Sequence, residues 1–454
     1  MPVMKREFDT IAAPLTARGE AAVSLIRISG PRAVSIVSRI FSTGRDLARA
    51  PSHRALLGDV LDGEGHCIDR ALLTLFRAPS SYTGEDVAEL SLHGSPLLTD
   101  LVMERLQEAG ARFAEPGEFT RRAFVNGKLT LVEAEAVADL IGAKTPGLLT
   151  KAAANLKGEL DCKLRELTQR MTGILAALNL SLDFEEEFLS ETDWDAVSKK
   201  IAELLDDIAG EAEKARNAIR EKNGLHILIL GPPNAGKSTL MNTLLGHERV
   251  LVSDTPGTTR DYITEPFTLD GHTLLLIDTA GIRGEEAGEL ERLGISKSLS
   301  LVEKSDIIIY MSEAGSPSFE IPGSVSEAGI PLIPVASKWD RAREGASLPD
   351  SWLPLSALEG HNVGTLKQKL SAEARRLTQA GGTGAVLLNR RQLDHLLRAR
   401  EALERAAGAA AEKTYEEVVS DFVRQAAEEL EMLTGKRIVE EMLNQIFDRF
   451  CIGK

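Results

Sequence analysis

Apolar residues recur along this chain in two different periods, and the places where the period changes divide it. Between residue 1 and about residue 126, short β-like runs mix with helical segments. Ala21 to Ser29 and Ala71 to Phe76 read as strands, Val87 to His93 alternates apolar with polar or small residues, and Ser95 to Ala109 reads as a helix, which together predict an α+β unit. From Leu129 to Arg220 the spacing turns helical: Ile201, Leu204, Leu205 and Ile208 fall at i, i+3, i+4 and i+7, one face of a helix. Short continuous apolar runs follow at Leu225–Leu230, Thr273–Asp278, Ile307–Met311 and Pro331–Ala336, the mark of strands in a parallel sheet buried on both faces. After a glycine-rich loop at Gly381–Gly384, Val419, Phe422, Val423, Ala426 and Leu430 mark one more helical stripe. The predicted fold is multidomain, α/β and α+β. It comprises an amino-terminal α+β domain (1–126), a helical domain in two parts (127–219 and 381–454), and a doubly wound α/β domain (220–380) inserted between them.

The loop after the first of those buried strands carries the strongest chemical signal. Gly231-Pro-Pro-Asn-Ala-Gly-Lys-Ser238 fits the phosphate-binding pattern G-x-x-x-x-G-K-[ST] and stands between a strand and a helix, where such a loop must stand. Backbone N–H groups of Asn234, Ala235, Gly236, Lys237, Ser238 and Thr239 close on phosphate oxygens there, helped by the helix N-terminus. Lys237 reaches the β- and γ-phosphates, and the Ser238 hydroxyl ligates magnesium. The second strand ends in Asp278, Thr279, Ala280 and Gly281. The Asp278 carboxylate holds a magnesium-bound water, and the Gly281 N–H senses the γ-phosphate. The fourth strand ends in Ser337, Lys338, Trp339 and Asp340, which resembles the Asn-Lys-x-Asp signature of GTPases, with Ser337 in place of the usual asparagine. Asp340 accepts from the ring N–H and exocyclic amine of guanine, a donor pair adenine lacks. Ser356, Ala357 and Leu358 resemble the loop that closes over the base. Four motifs in this order point to a Ras-like P-loop GTPase domain.

Ras-like enzymes place a water-orienting glutamine directly after the Asp-x-x-Gly motif; here that residue is Ile282, so another group must position the water. The switch segment contains Ser253, Asp254, Thr255, Pro256, Gly257, Thr258 and Thr259. Thr259 is the expected second magnesium ligand, and the preceding loop, with the Asn234 side-chain oxygen, can encircle a monovalent cation. Such a cation would do the charge-neutralising work of an arginine finger.

At 454 residues the chain exceeds one domain, and it contains no run of 18 apolar residues and no signal-peptide pattern. Its cysteines, Cys67, Cys162 and Cys451, form no metal-ligand spacing. A soluble cytoplasmic protein is expected. The net charge of −15 argues against broad polyanion binding but leaves room for an RNA partner through a local patch.

Phe8–Ala13, Leu25–Gly30, Ser81–Asp86, Pro116–Phe124 and the terminal Phe450-Cys-Ile-Gly-Lys454, together with the inserted GTPase, resemble the MnmE (TrmE) family of tRNA-modifying GTPases over the whole chain. The resemblance implies a homodimer joined through its amino-terminal domains and working with the flavoprotein MnmG. The pair adds carboxymethylaminomethyl-type groups to C5 of the wobble uridine of certain tRNAs. It further implies GTP/GDP, magnesium, potassium and 5-formyltetrahydrofolate or a related folate as ligands. The folate site carries over onto Arg27, Glu89, Lys128 and Lys454, the potassium site onto Asn234, Ser253, Thr255 and Thr258, and the water-orienting carboxylate onto Glu291. Cys451, with Arg449 and Lys454 close in sequence, is the candidate nucleophile. Two other classes compete: a ribosome-assembly GTPase without modification chemistry, and a regulator of the MnmG active site that carries no substrate. Folate binding separates both from the first reading.

Overall fold

The computed structural model describes residues 9–183, 193–246, 264–277, 301–302, 305–315, 319–342, 348–379, 386, 389–437, 440–448 and 450–454. It separates into two compact units, one formed by residues 1–141, 152–205 and 395–454 and the other by 142–151 and 206–394. No helix among the described residues is long and apolar enough to cross a membrane.

In the first unit, β1 (Ile11–Pro14), β2 (Ala21–Ser29), β3 (Phe41–Ser42), β4 (Ala55–Leu61), β5 (Cys67–Phe76), β6 (Val87–Gly94) and β7 (Arg112–Phe113) form one sheet in the order β3-β4-β5-β6-β2-β1-β7. Its pairs are antiparallel except β1 with β7. Period-two alternation decides which residues leave water. Ile26 and Ile28 of β2, Leu73 and Leu75 of β5 and Leu90 and Leu92 of β6 point into one core, where α1 (Ala33–Val37) and α2 (Pro96–Glu108) cover them with Ile36, Val102 and Leu106. Helix α2 starts at Pro96 because the Ser95 side chain accepts from the Leu98 N–H, an N-cap in its usual role. The opposite face is covered beside β1, where Ile11 and Ala13 pack on Ala114 and Phe119 of the turn leading into α3 and of α3 itself (Glu118–Val125).

Among the described helices this unit also draws on α4 (Leu131–Gly142), α5 (Pro146–Leu156), α6 (Glu159–Asp183) and α7 (Trp194–Asn223), and, after the second unit's sheet, on Arg390–Ala411, Glu416–Thr434 and Glu440–Phe447. The stripe of Val419, Val423, Ala426 and Leu430 is wholly buried, while Phe422 is half-buried with the Arg405 guanidinium 5.6 Å over its ring. Helix Glu440–Phe447 lays Leu443, Ile446 and Phe447 against Leu131, Ala134 and Val137 of α4, which brings the carboxy-terminal residues back to the amino-terminal sheet.

The second unit holds β8 (Leu225–Leu230), β9 (Thr264–Leu269), β10 (His272–Ile277), β11 (Ile307–Glu313), β12 (Leu332–Ser337) and β13 (Leu353–Pro354), ordered β13-β12-β11-β8-β10-β9. All neighbours are parallel except β9, which runs antiparallel to β10. Both faces are covered. Ile227 and Ile229 of β8 face the cluster with Leu240 and Leu244, and Leu228 faces the opposite one with Ile308 and Val325. This is why these strands read as unbroken apolar runs instead of alternating. Because β10 lies on one side of β8 and β11 on the other, the chain reverses direction there. The loop leaving β8 therefore sits at a topological switch point, where open α/β sheets place their ligands.

Candidate active site

The loop from Gly231 to Gly236 links β8 to a helix, Lys237–Leu245. Gly231 has φ +146°, and a Cβ on it would lie 2.1 Å from the Met311 carbonyl oxygen of β11, so only glycine lets the loop cross the sheet edge this closely. Asn234 (φ +64°) and Gly236 (φ +86°) are both left-handed, turning the backbone into the helix. The first-turn N–H groups of a helix have no intrahelical acceptor and carry the positive end of its dipole. A ready anion cradle results. Lys237 donates from Nζ to the carbonyls of Gly231 and Pro232, both at 2.8 Å, which lays its ammonium across the mouth of the loop. The Ser238 and Thr239 side chains stand exposed on the first turn, while Ala235, Leu240 and Leu244 are buried.

Two further loops converge beside this one. Strand β12 ends at Ser337, and Lys338 turns the chain with φ +54° into the Trp339–Arg341 helical turn. The Ser356 hydroxyl, on a residue 1% exposed, donates to Asp340 Oδ1 at 2.6 Å. That bond holds the Asp340 carboxyl below its ordinary range and fixes one of its oxygens. Thr243 Oγ1 donates to the Ala357 carbonyl at 3.1 Å, tying the helix behind the phosphate loop to the Ser356 loop. Leu358 is 78% exposed at its tip.

Ser337 is buried, and its hydroxyl donates to the Ser312 carbonyl of β11 at 3.2 Å. A hydroxyl has a single O–H, where an asparagine amide has two N–H donors; here that one donor is spent on the neighbouring strand. Lys338 Nζ lies 3.1 Å from Glu313 Oε2. Ser253, Asp254, Thr255, Pro256, Gly257, Thr258 and Thr259, with Asp278, Thr279, Ala280, Gly281 and Glu291, lie outside the described residues. No cluster of three His, Cys, Asp or Glu side chains suited to a metal occurs among the described residues. The exposed Ser238 hydroxyl at the helix N-terminus instead suits magnesium, which keeps waters and shares its shell with phosphates.

The first unit gathers a second set. Arg27 of β2 and Glu89 of β6 are cross-strand partners. The guanidinium donates from Nε to Glu89 Oε1 at 2.9 Å and approaches the same oxygen from Nη2 at 2.8 Å. It also lies 4.7 Å over the Tyr82 ring and 5.4 Å from the Phe119 centroid, an aromatic wall that favours a cation. The Phe119 N–H donates to the Lys454 carbonyl at 3.1 Å. Gly453 (φ +96°) makes that docking possible, because a Cβ there would meet the Pro14 carbonyl oxygen at 2.3 Å. Lys128 runs its stem past Gly84, two residues from Tyr82. Cys451 is exposed, and its carbonyl accepts weakly from the Gly117 N–H at 3.5 Å; Arg449 lies outside the described residues. Arg27 and Glu89 are therefore paired beside Tyr82 and Phe119, with the Lys454 backbone carbonyl held on the Phe119 N–H.

The motif segments also hold residues whose roles were not foreseen: Tyr82, Phe119 and a charge network behind them. Arg112 and Arg122 share Glu118 and Asp9, with side-chain distances of 2.7 to 3.2 Å. Arg112 hydrogen bonds hold Asp9 below its ordinary range. Burial pushes the Glu118 carboxyl up, but Arg112, the Glu115 N–H and Arg122 more than offset it, and the net shift is downward from 4.5. A carboxyl whose folded pKa is depressed adds stability above its unfolded pKa and loses it as pH falls through the folded value. The chain should therefore lose thermal stability as pH drops below about 4.5, and Glu118→Gln should flatten that loss. Equal pH slopes for wild type and variant in thermal unfolding would refute the assignment.

Comparison with known proteins adds a family. Residues 10–128 match the family model described as the GTP-binding protein TrmE N-terminus, and residues 131–451 match that of the MnmE helical domain. A Thermus thermophilus protein named tRNA modification GTPase MnmE is 38% identical over 452 residues, covering 98% of this chain and 99% of its own. One from Salinibacter ruber is 38% identical over 460 residues, at 98% and 99% coverage. One from Chlorobaculum tepidum is 35% identical over 473 residues, at 100% and 98%.

Proposed function

The chain belongs to the MnmE family of tRNA modification GTPases, and from that premise we propose a potassium-dependent GTPase. It acts as a homodimer with the flavoprotein MnmG to add a carboxymethylaminomethyl-type group to C5 of the wobble uridine of certain tRNAs, in the cytoplasm. The observation that carries the nucleotide half is the meeting of Asp340 and Ser356, 2.6 Å apart, in a unit whose Gly231–Gly236 loop forms an anion cradle. Lys237 and the loop N–H groups bind the phosphates, Asp340 reads guanine, and Ser356 keeps that carboxylate aimed. Ser238 and Thr259 would hold magnesium, which when bound would neutralise charge at the β- and γ-phosphates. Asn234, Ser253, Thr255 and Thr258 would hold potassium, and Glu291 orients the attacking water in place of the glutamine absent at Ile282.

Arg27, Glu89, Lys128 and Lys454 would hold the folate, a one-carbon donor. Guanidinium and ammonium groups suit its glutamate carboxylates, and Glu89 suits the amino-pyrimidine edge. The Arg27–Glu89 pair then exchanges part of its mutual bonding for the ligand. Cys451, exposed beside the docked Gly453, is the proposed nucleophile of the carboxy-terminal segment. The GTPase domain, 220–380, is read as an insertion in one helical domain formed by 127–219 and 381–454.

Two measurements test the reading. GTP turnover in potassium and in sodium at equal ionic strength should differ about 10²-fold or more, the low end for a lost charge-stabilising group; equal rates would remove the cation from the mechanism. Nucleoside analysis of cells lacking the chain should show unmodified wobble uridine in the affected tRNAs, and unchanged uridines would refute the modification role.

A further inference from the structure

The Arg122 side chain is 1% exposed and lies behind the Arg27 site. From α3 its Nη2 donates to Glu118 Oε1 and to Asp9 Oδ1, both at 2.8 Å, and its Nη1 donates to the Asp9 carbonyl at 2.6 Å. The same Nη1 lies 3.3 Å from both Glu85 carboxylate oxygens. Glu85 in turn accepts from the Ser29 hydroxyl at 2.6 Å, and Ser29 shares a 2.7 Å bond with Thr83.

This chain of bonds has a definite layout. Ser29 is two residues beyond Arg27 on β2, so the period of a strand puts both on one face. Glu85 is three residues beyond Tyr82, and Arg122 three beyond Phe119 on one side of α3. Tyr82 is itself fixed to α3, its hydroxyl 2.9 Å from Thr120 Oγ1. The buried guanidinium thus joins, at their rear, the three segments that present Arg27, Tyr82 and Phe119 at the front, and Phe119 carries the Lys454 carbonyl. A buried ion cluster contributes little net stability over an apolar packing of equal volume, yet removing one partner from it is disruptive. Its use is to fix geometry.

We infer that Arg122, through Glu85 and Ser29, is a positioning residue for the Arg27–Glu89–Lys454 site, setting the spacing at which that site clasps a folate carrier. This rests on the folate reading given above. The test uses the full chain and three variants, Arg122→Met, Arg122→Lys and Glu85→Gln, with 5-formyltetrahydrofolate as probe in calorimetry. Thermal unfolding and potassium-stimulated GTP turnover are measured on the same preparations. Arg122→Met should weaken carrier binding about 10-fold or more, the size seen when groups supporting a site's ligands are removed. Arg122→Lys should recover part of it, and Glu85→Gln should weaken it in the same direction. GTP turnover should stay at the wild-type value in all three, a split that general unfolding would not produce. If the wild type binds no folate, the reading of the site falls and the inference with it. If the wild type binds and both Arg122→Met and Glu85→Gln bind equally well, the site reading stands and the positioning role is overturned. Should Arg122→Met fail to fold, the near-isosteric Glu85→Gln decides alone.

Discussion

Asp340→Asn is expected to lower GTP affinity about 10²- to 10⁴-fold and to admit xanthosine triphosphate. Each charge-assisted hydrogen bond from guanine to the carboxylate contributes about 1.5–3 kcal/mol, and at 1.4 kcal/mol per tenfold step the loss of both gives that range. The amide keeps one acceptor, which the Ser356 hydroxyl, 2.6 Å from Asp340 Oδ1 in the wild type, can still engage. The loop should therefore survive, and the effect should lie in recognition. The amide also gains an N–H, which faces a repulsive donor on guanine and an acceptor carbonyl on xanthine. Competition binding with the two triphosphates measures the exchange. Unchanged GTP affinity would show that Ser337–Asp340 does not read the base. The buried Ser337, whose one donor goes to Ser312, supplies no second anchor to mask the loss.

Strands buried on both faces were legible because their sequences are locally unambiguous. The run Leu225–Leu230 is strand over its full length, and the expected strand at Ile307–Met311 extends to Glu313. Strand β9, Thr264–Leu269, was not anticipated. It pairs with β10 at the sheet edge, and Glu265 and Pro266 interrupt its apolar pattern. The order of the seven-stranded sheet was likewise hidden, since pairing β2 with both β1 and β6 depends on contacts far apart in sequence. The same limit explains the site. Arg27 and Glu89 could be named singly from a family pattern, but their mutual ion pair is a property of register. Arg122 sits in a legible motif, Pro116–Phe124, together with its partner Glu118, while Asp9 and Glu85 come from two other segments. Ser337 was read as an altered anchor, and the contact that absorbs its hydroxyl lies on another strand.

Glu291→Ala is expected to reduce kcat by about 10²-fold or more while leaving GTP affinity nearly unchanged, the pattern for loss of a water-positioning carboxylate. The argument starts at Ile282, which has no polar atom for water and stands where Ras-like enzymes carry glutamine. A potassium ion held by Asn234 and the segment Ser253–Thr258 can neutralise charge, but it cannot accept a proton hydrogen bond from the attacking water. That work requires a side-chain acceptor, and the Glu291 carboxylate is the proposed one. The proposed nucleotide-binding residues are different ones, the Gly231–Gly236 loop with Lys237 and the Asp340–Ser356 pair, so removing the carboxylate should leave affinity intact. If two GTPase domains meet across their switch segments to order 252–261 and bring Glu291 to the water, GDP with aluminium fluoride should close them in potassium and not in sodium. Inter-domain distance measurements on the full-length protein follow that closure. Closure should persist in Glu291→Ala, because the variant removes chemistry and not the interface. A variant with the wild-type kcat would exclude Glu291 from water positioning. Full turnover without any closure would exclude dimerisation of the GTPase domains from the mechanism.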